Sequence, residues 1–355
     1  MIEKDIDIVI QGPCDIKVIQ GKIDISGIEI TDTFHIGNNK TFTITTLTES
    51  EVDLNCNILA KYPSLGWRNI AEEISGKVII IGEQNSGKSY LANLISNTQK
   101  APILDADIGQ SSLFIPTFVS LSNFKETLTP REKGLMNIEF FGDITPSINP
   151  KFHQALISKL SYSVNNVVID TDGWVSGYQS YRHKIELIYT INPDFIILFD
   201  KNNNKNFPSD IERKVIKSKS FPLDIDRNRN QRRLYRQYLY SEYFNTKNEI
   251  KMGTNKLFGN SINDRLFISW GDMVQLSDEE PCEGYYITLE DMKGLLVGLT
   301  LKGKTIGAGL ITNITRDYIT IRTREKEADG ILMGNINLNE NFEERRVKIE
   351  KCSRL

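Results

Sequence analysis

The sequence predicts an α/β fold: a central domain with a parallel sheet, flanked by a β-rich N-terminal domain and a β-rich C-terminal domain. Three observations lead there. Between residues 73 and 255 short β-branched runs alternate with helix-like stretches, the pattern of a parallel sheet covered on both faces. Residues 1–72 carry only short apolar runs broken at close intervals by glycine. Residues 256–355 return to β-like runs between glycine-rich turns.

In the first region the runs are Ile6–Ile10, Ile16–Ile19 and Lys22–Ile25, separated by Gly12-Pro13, Gly21 and Gly27. Such turn spacing predicts a small sandwich or barrel, and no catalytic constellation stands in it. In the central region Lys77–Ile81, Asn166–Asp170 and Asp194–Asp200 read as buried strands, the last two ending in a carboxylate. Helices are predicted from Ser89 to Asn97, with Leu91, Leu94 and Ile95 on one face, and over 150–163 and 182–190. In the last region Gly294–Leu299 and Tyr318–Arg322 read as strands, and Asn202–Asn206 as a polar loop.

Composition narrows the class. The chain has 355 residues, long for one compact domain. Its net charge of −3 excludes a chain coated everywhere with basic residues, yet leaves room for a local basic patch. No apolar run reaches the ~18–20 residues that span a bilayer, and the N-terminal residues lack the layout of a secretory signal. The four cysteines, Cys14, Cys56, Cys282 and Cys352, lie far apart without a C-x-x-C pair. A disulfide framework or zinc knuckle is therefore not expected, and the cytoplasm is the expected compartment. His35, His153 and His183 show no metal-ligand spacing.

The first chemical motif is Gly82-Glu83-Gln84-Asn85-Ser86-Gly87-Lys88-Ser89, a full G-x-x-x-x-G-K-[ST] between a predicted strand and a predicted helix. Glycines let the backbone curl so that N–H groups converge on phosphate oxygens, and the helix N-terminus adds partial positive charge. Lys88 can reach the β- and γ-phosphates, Ser89 can ligate Mg²⁺, and Tyr90 follows directly. The central region is thus expected to be a P-loop NTPase domain that binds a nucleoside triphosphate with Mg²⁺. A GTPase is disfavoured, because the strand after Phe195 leads into Asp200-Lys201-Asn202-Asn203 and not N-K-x-D.

The second motif is Asp105-Ala106-Asp107-Ile108-Gly109-Gln110, shortly after the P-loop helix. A strand there delivers two carboxylates beside the phosphates, where one can hold the metal or its waters, or take a proton from an attacking hydroxyl. Asp107 is assigned as base or metal anchor and Asp105 as its support. Trp174 stands just past a predicted strand end, where ligands bind in parallel sheets and an indole can stack on a base. The alternative is a core tryptophan.

The order of these motifs resembles that of the polynucleotide 5′-hydroxyl kinases, relatives of the kinase subunit of mRNA-cleavage and tRNA-splicing complexes and of the nucleolar pre-rRNA processing kinase. The likeness runs through the P-loop, Asp105–Gln110, Pro116–Leu121, Gly142–Pro146, Thr171–Gly177 and an arginine-rich segment from Arg229 to Phe244. The compact length suits an archaeal-type member. The resemblance implies that Gln110, Thr117, Asp172, Gly173 and Trp174 meet the nucleic acid end. It further implies an arginine lid over about 205–244.

Residues 201–236 hold eleven basic against four acidic residues. Arg232 and Arg236 are i,i+4 and share a helix face, with Arg229 one turn earlier. The lid reading makes Arg232 or Arg236 catalytic, leaves Arg229 and Arg233 to nucleic acid, and takes Asn202–Asn206 as hinge. The alternative is a solvated helix face. The function expected is ATP-dependent phosphorylation of RNA 5′-hydroxyl ends, with DNA as a further acceptor and RNA-processing partners on the terminal domains. The competing readings are an ATP-bound scaffold without turnover and a small-molecule kinase.

Overall fold

The computed structural model describes residues 1–37, 41–199, 207–222, 229–257, 265–268, 272–277, 284–315 and 317–351. Among them the strands form four sheets. The N-terminal strands are β1 (Ile6–Gln11), β2 (Cys14–Gln20), β3 (Ile23–Ile25), β4 (Ile28–Ile30), β5 (Thr33–Ile36), β6 (Thr41–Thr46), β7 (Glu51–Leu54) and β8 (Asn57–Pro63). They make a five-stranded sheet, β4-β3-β6-β1-β8, and a three-stranded sheet, β5-β2-β7. Ile8, Ile10, Ile23, Ile25 and Ile44 of the first share one core with Ile16 and Ile36 of the second. That is the expected sandwich.

The cysteine reading needs correction. Cys14 and Cys56 form a disulfide, their Cα atoms 4.9 Å apart. They are 42 residues apart in sequence, so spacing gives no hint. The antiparallel register that sets Ile16 against Leu54 brings Cys56 opposite Cys14. Cys282 and Cys352 lie outside the described residues.

The central region contains α1 (Trp67–Glu73), β9 (Lys77–Gly82), α2 (Lys88–Gln99), β10 (Ile103–Asp105), β11 (Phe118–Ser122), β12 (Leu135–Phe140), α3 (Pro150–Ser161), β13 (Val167–Asp170), α4 (Tyr178–Ile191), β14 (Phe195–Phe199), α5 (Ser209–Glu212), β15 (Val215–Ser218) and α6 (Arg229–Tyr243). The seven-stranded sheet has the order β12-β11-β10-β13-β9-β14-β15. β10, β13, β9, β14 and β15 run parallel. β11 and β12 are antiparallel additions, because no helix separates β10 from β11 to carry a crossover. Alternate residues of β9 bury on opposite faces: Ile79 and Ile81 against α3 and α4, Val78 and Ile80 against α1 and α2. α3 starts where Asn149 accepts a hydrogen bond from the Phe152 N–H at 3.1 Å, with Pro150 in its first turn.

The C-terminal strands are β16 (Glu249–Gly253), β17 (Arg265–Ile268), β18 (Asp272–Leu276), β19 (Tyr285–Ile287), β20 (Leu295–Leu301), β21 (Lys304–Ile314), β22 (Tyr318–Thr323), β23 (Gly330–Leu338), β24 (Glu344–Arg346) and β25 (Glu350–Lys351). They form one sheet, with β24 paired to β23. Phe118 and Phe140 of the central sheet pack with Tyr240 and Phe244 of the α6 end and with Leu296, Leu310 and Ile336 of this sheet. A Cβ on Gly298 would lie 2.6 Å from Phe140, so glycine there permits the close approach. No helix among the described residues is long and apolar enough to cross a membrane.

Candidate active site

β9 ends at Gly82 and α2 begins at Lys88, so the intervening loop curls at the carboxyl edge of the sheet. Gly87 has φ +101°, and a Cβ there would fall 2.4 Å from the Trp67 ring. Only glycine suits both the backbone and that neighbour. The Ser86 hydroxyl donates to the Glu83 carbonyl at 2.9 Å, and Lys88 Nζ to the same oxygen at 2.7 Å. Burial lowers the Lys88 pKa, against the pull of Asp170, Asp107 and Asp172. Tyr90 ties the helix to the N-terminal sandwich: its hydroxyl donates to the Thr43 carbonyl and accepts from the Ser26 N–H, both at 3.1 Å.

The two carboxylates after β10 differ in their surroundings. Asp105 is fully buried, and one of its oxygens accepts from Ser112 N at 2.6 Å, Leu113 N at 3.1 Å and the Ser111 hydroxyl at 3.0 Å. Its other oxygen accepts from the Asp107 N–H at 3.0 Å. Its bonds are spent on shaping the turn, which is a supporting position. Burial and the Asp107 charge lift its pKa to about 6. Asp107 Oδ1 accepts from Gly109 N at 3.1 Å and Gln110 N at 2.9 Å. Burial and Asp172 raise its pKa, while Lys88 opposes the rise.

Asp172 is held by Lys184 Nζ at 2.7 Å, in a pair whose side chains are 4% and 5% exposed. Burial pushes its pKa up, but the Lys184 ammonium outweighs that and holds it down at about 2. The other carboxylate oxygen of Asp172 accepts from the Trp174 N–H at 2.8 Å. Trp174 is only half-buried and lines a cavity, so it is not a core tryptophan.

Two cavities meet here. One, of about 390 Å³, is lined by the P-loop, Lys88, Ser89 and Tyr90, with Thr41, Phe42 and Thr43 of β6, Phe221 and Tyr235. The other, of about 790 Å³, is lined by Asp172, Gly173, Trp174, Thr145 and four arginines of α6, Arg229, Arg232, Arg233 and Arg236. They share Gln84, Asp107, Gln110 and Arg232. Arg236 pairs with Glu344 of β24, and Arg233 lies 3.8 Å from Glu343. The α6 arginines thus line this cavity, with Arg229 and Arg233 exposed to solvent and Arg232 and Arg236 partly buried. The Asn202–Asn206 hinge lies outside the described residues.

Thr117 needs correction. It is fully buried, and its N–H donates to the Ile108 carbonyl at 2.9 Å. It braces the loop after Asp107 from behind and has no surface to offer a nucleic acid. Sequence reasoning also passed over Asp170, at the end of β13 beside β9. It is 1% exposed, its Oδ1 has no hydrogen-bond partner, and Ser89 hydrogen-bonds its side chain. Burial and Asp105 raise its pKa to about 7. An orphaned carboxylate oxygen beside Ser89 fits a hard cation such as Mg²⁺. Its place at a strand end was the available signal. The β6 wall and Glu344 left none, being distant in sequence and without a motif.

The family model described as mRNA cleavage and polyadenylation factor CLP1 P-loop matches residues 82–246, from the P-loop glycine to just past α6. A polyribonucleotide 5′-hydroxyl-kinase of Pyrococcus furiosus is 29% identical over 323 residues, covering 76% of this chain and 89% of its own. The chain is thus similar to the polynucleotide 5′-hydroxyl kinases, most clearly over its P-loop region. A second such relative, from Methanocaldococcus jannaschii, is 27% identical over 331 residues, with 76% of this chain and 88% of its own covered. In fold, the chain is similar to Clp1p in the solved wild-type Clp1p–Pcf11p complex. The TM-score is 0.66 at 16% identity, over 95% of this chain and 96% of that one. All the motifs read from the sequence, except those of the terminal regions, fall inside the matched span.

Proposed function

We propose that this protein is an ATP-dependent kinase that phosphorylates the 5′-hydroxyl end of RNA. The observation that carries the reading is the junction of the two cavities at Asp107 and Arg232. A phosphate-binding cavity opens there into a basic one floored by an indole. A triphosphate in the first and a strand end in the second would bring the γ-phosphorus and a 5′-oxygen together beside Asp107.

The 5′-oxygen then attacks the γ-phosphorus in line, the bond to the β-phosphate oxygen breaks, and ADP leaves. Asp107 accepts the hydroxyl proton, and its raised pKa suits a base. Lys88, released from the Glu83 carbonyl, and Arg232 neutralise charge on the transferring oxygens. Ser89 and Asp170 would hold Mg²⁺, with Asp107 reaching its waters; the ion supplies further neutralisation of the phosphates. Trp174 stacks on the terminal base, while Gln110, Gly173, Arg229 and Arg233 line the path of the strand. Thr41–Thr43, Phe221 and Tyr235 enclose the nucleoside end of ATP.

The named activity of the two archaeal relatives supports this reading over a silent scaffold. We take residues 1–72 and 256–355 as separate β-rich domains that offer surfaces to RNA-processing partners, supported by the Clp1p neighbour bound to Pcf11p. ATP and RNA as substrates favour the cytoplasm as compartment. Incubation with γ-labelled ATP, Mg²⁺ and matched 5′-hydroxyl RNA and DNA oligonucleotides tests the proposal. Label on RNA is expected; no label on either polymer would refute it, and label on DNA alone would correct the acceptor.

A further inference from the structure

His153 of α3 and His183 of α4 are 0% and 2% exposed, and neither lines the two cavities. They nevertheless join the two parts of the site. His153 Nε2 lies 2.9 Å from the Ala106 carbonyl oxygen, and His153 Nδ1 lies 3.2 Å from His183 Nε2. A carbonyl only accepts, so Nε2 of His153 carries the proton and its Nδ1 is a lone pair. His183 Nε2 must then donate to that lone pair. The remaining nitrogen, His183 Nδ1, is left as an acceptor, and it is buried without a hydrogen-bond partner. Two neutral rings of the same tautomer satisfy every one of these contacts. Burial beside the Lys184 ammonium disfavours charge on either ring.

The ends of this relay are the interesting part. Ala106 stands between Asp105 and Asp107, and its N–H donates to the Asp170 carbonyl at 2.9 Å. At the other end the His183 ring meets Trp174 edge to face, with centroids 5.7 Å apart at 61°. The neighbouring Lys184 fixes Asp172, whose carboxylate holds the Trp174 N–H. Consecutive residues of α4 thus grip Trp174 from its ring and from its backbone. Phe141 already packs against the His153 ring, so an apolar residue could fill the space. What the histidines add is direction.

We infer that His153 and His183 are positioning residues, a hydrogen-bonded relay that holds the Asp107 loop in register with the Trp174 platform. The inference rests on the kinase reading above. It assigns the relay to the acceptor half of the reaction, because Lys88 and Ser89 take no part in it.

Two measurements test it. His183→Phe keeps an aromatic ring against Trp174 but removes the donor, and His183→Gln restores an N–H. With a 5′-hydroxyl RNA acceptor, the Phe variant should lose ~10–10²-fold in kcat, the scale of a misplaced reacting pair. Its KM for ATP should stay within about twofold, and the Gln variant should recover most of the rate. Wild-type kcat in the Phe variant, or equal losses in both variants together with a raised KM for ATP, would overturn the role. Independently, ¹⁵N NMR of histidine-labelled protein reads only three residues, with exposed His35 as reference. His153 and His183 should both be neutral Nε2–H tautomers at pH 7. An Nδ1–H tautomer or a cation at either would overturn the relay, whatever the activity. Absence of transfer by the wild-type protein would instead overturn the kinase reading, and the NMR result would still decide the relay.

Discussion

Arg236 of α6 grips Glu344 of β24 with two prongs: its Nε donates to one carboxylate oxygen at 2.7 Å, and its Nη2 to the other. The side chains are 12% and 11% exposed, so the pair is largely shielded from water. A guanidinium already committed in both prongs is poorly placed to take a phosphate. Arg232, one turn earlier, lines both cavities.

The two arginines should therefore separate on mutation. Arg232→Ala is expected to lower kcat by up to ~10³–10⁵ at saturating RNA, as loss of an arginine finger does. Arg236→Ala should chiefly cost stability, roughly 3–5 kcal/mol, because it strands a buried carboxylate. Urea unfolding and saturation kinetics on both variants check this. A folded Arg236→Ala protein of normal stability with the larger kcat loss would transfer the role to Arg236.

Lys88 and Asp107 should behave as chemistry, not scaffolding. Lys88→Ala is expected to abolish transfer while leaving the fold, since among the described residues the hydrogen bond of Lys88 Nζ at rest is to a loop carbonyl. Asp107→Asn should reduce kcat by ~10²–10⁴ with little change in KM for ATP. Asp105→Asn should instead lower the melting temperature, because it disturbs a carboxylate that accepts from Ser111, Ser112, Leu113 and Asp107. If Asp105→Asn alone removes activity in a stable protein, the two assignments must be exchanged.

The parts of this site that were legible in the sequence are contiguous ones. Gly82 to Ser89 carries its own turn chemistry and lies between a strand and a helix, so local rules suffice. Asp105-Ala106-Asp107 and Gly173-Trp174 were readable for the same reason. What could not be read depends on register and packing. Thr117 sits close to the Asp107 loop in sequence, but its burial follows from how β11 pairs with β10. Cys14 meets Cys56 only through the β2–β7 pairing. Thr41–Thr43 and Glu344 reach the cavities from opposite ends of the chain, and nothing in their local sequence distinguishes them from other strand residues. His153 and His183, thirty residues apart and without metal-ligand spacing, are brought together only by the packing of α3 on α4.

Trp174→Ala is expected to weaken oligonucleotide binding by ~1–3 kcal/mol, about equally for all four terminal bases, with ATP binding unchanged. The indole is only half-buried, so the melting temperature should move little. Equilibrium binding to four oligonucleotides differing at the 5′ base is the measurement. A strong base preference in the loss would replace stacking with edge recognition.

Asp172 carries the clearest pH dependence. Its folded pKa of about 2 lies below the ordinary 3.8, because the Lys184 ammonium outweighs the burial that would raise it. A depressed carboxylate contributes stability above its unfolded pKa and loses it as pH falls through the folded one. The contribution is therefore full above pH 4 and fades between pH 3.8 and pH 2. Asp172→Asn should cost roughly 2–3 kcal/mol at pH 6, by the linkage for a shift of this size. Asparagine can still accept the Trp174 N–H, so the loss reports the Lys184 partnership and not the turn. Urea unfolding of wild type and variant at pH 6, 4 and 3 should show the gap constant at the first two and narrower at the third. A gap that stays the same at pH 3, or is absent at pH 6, would mean that Lys184 does not stabilise the Asp172 carboxylate in the folded protein.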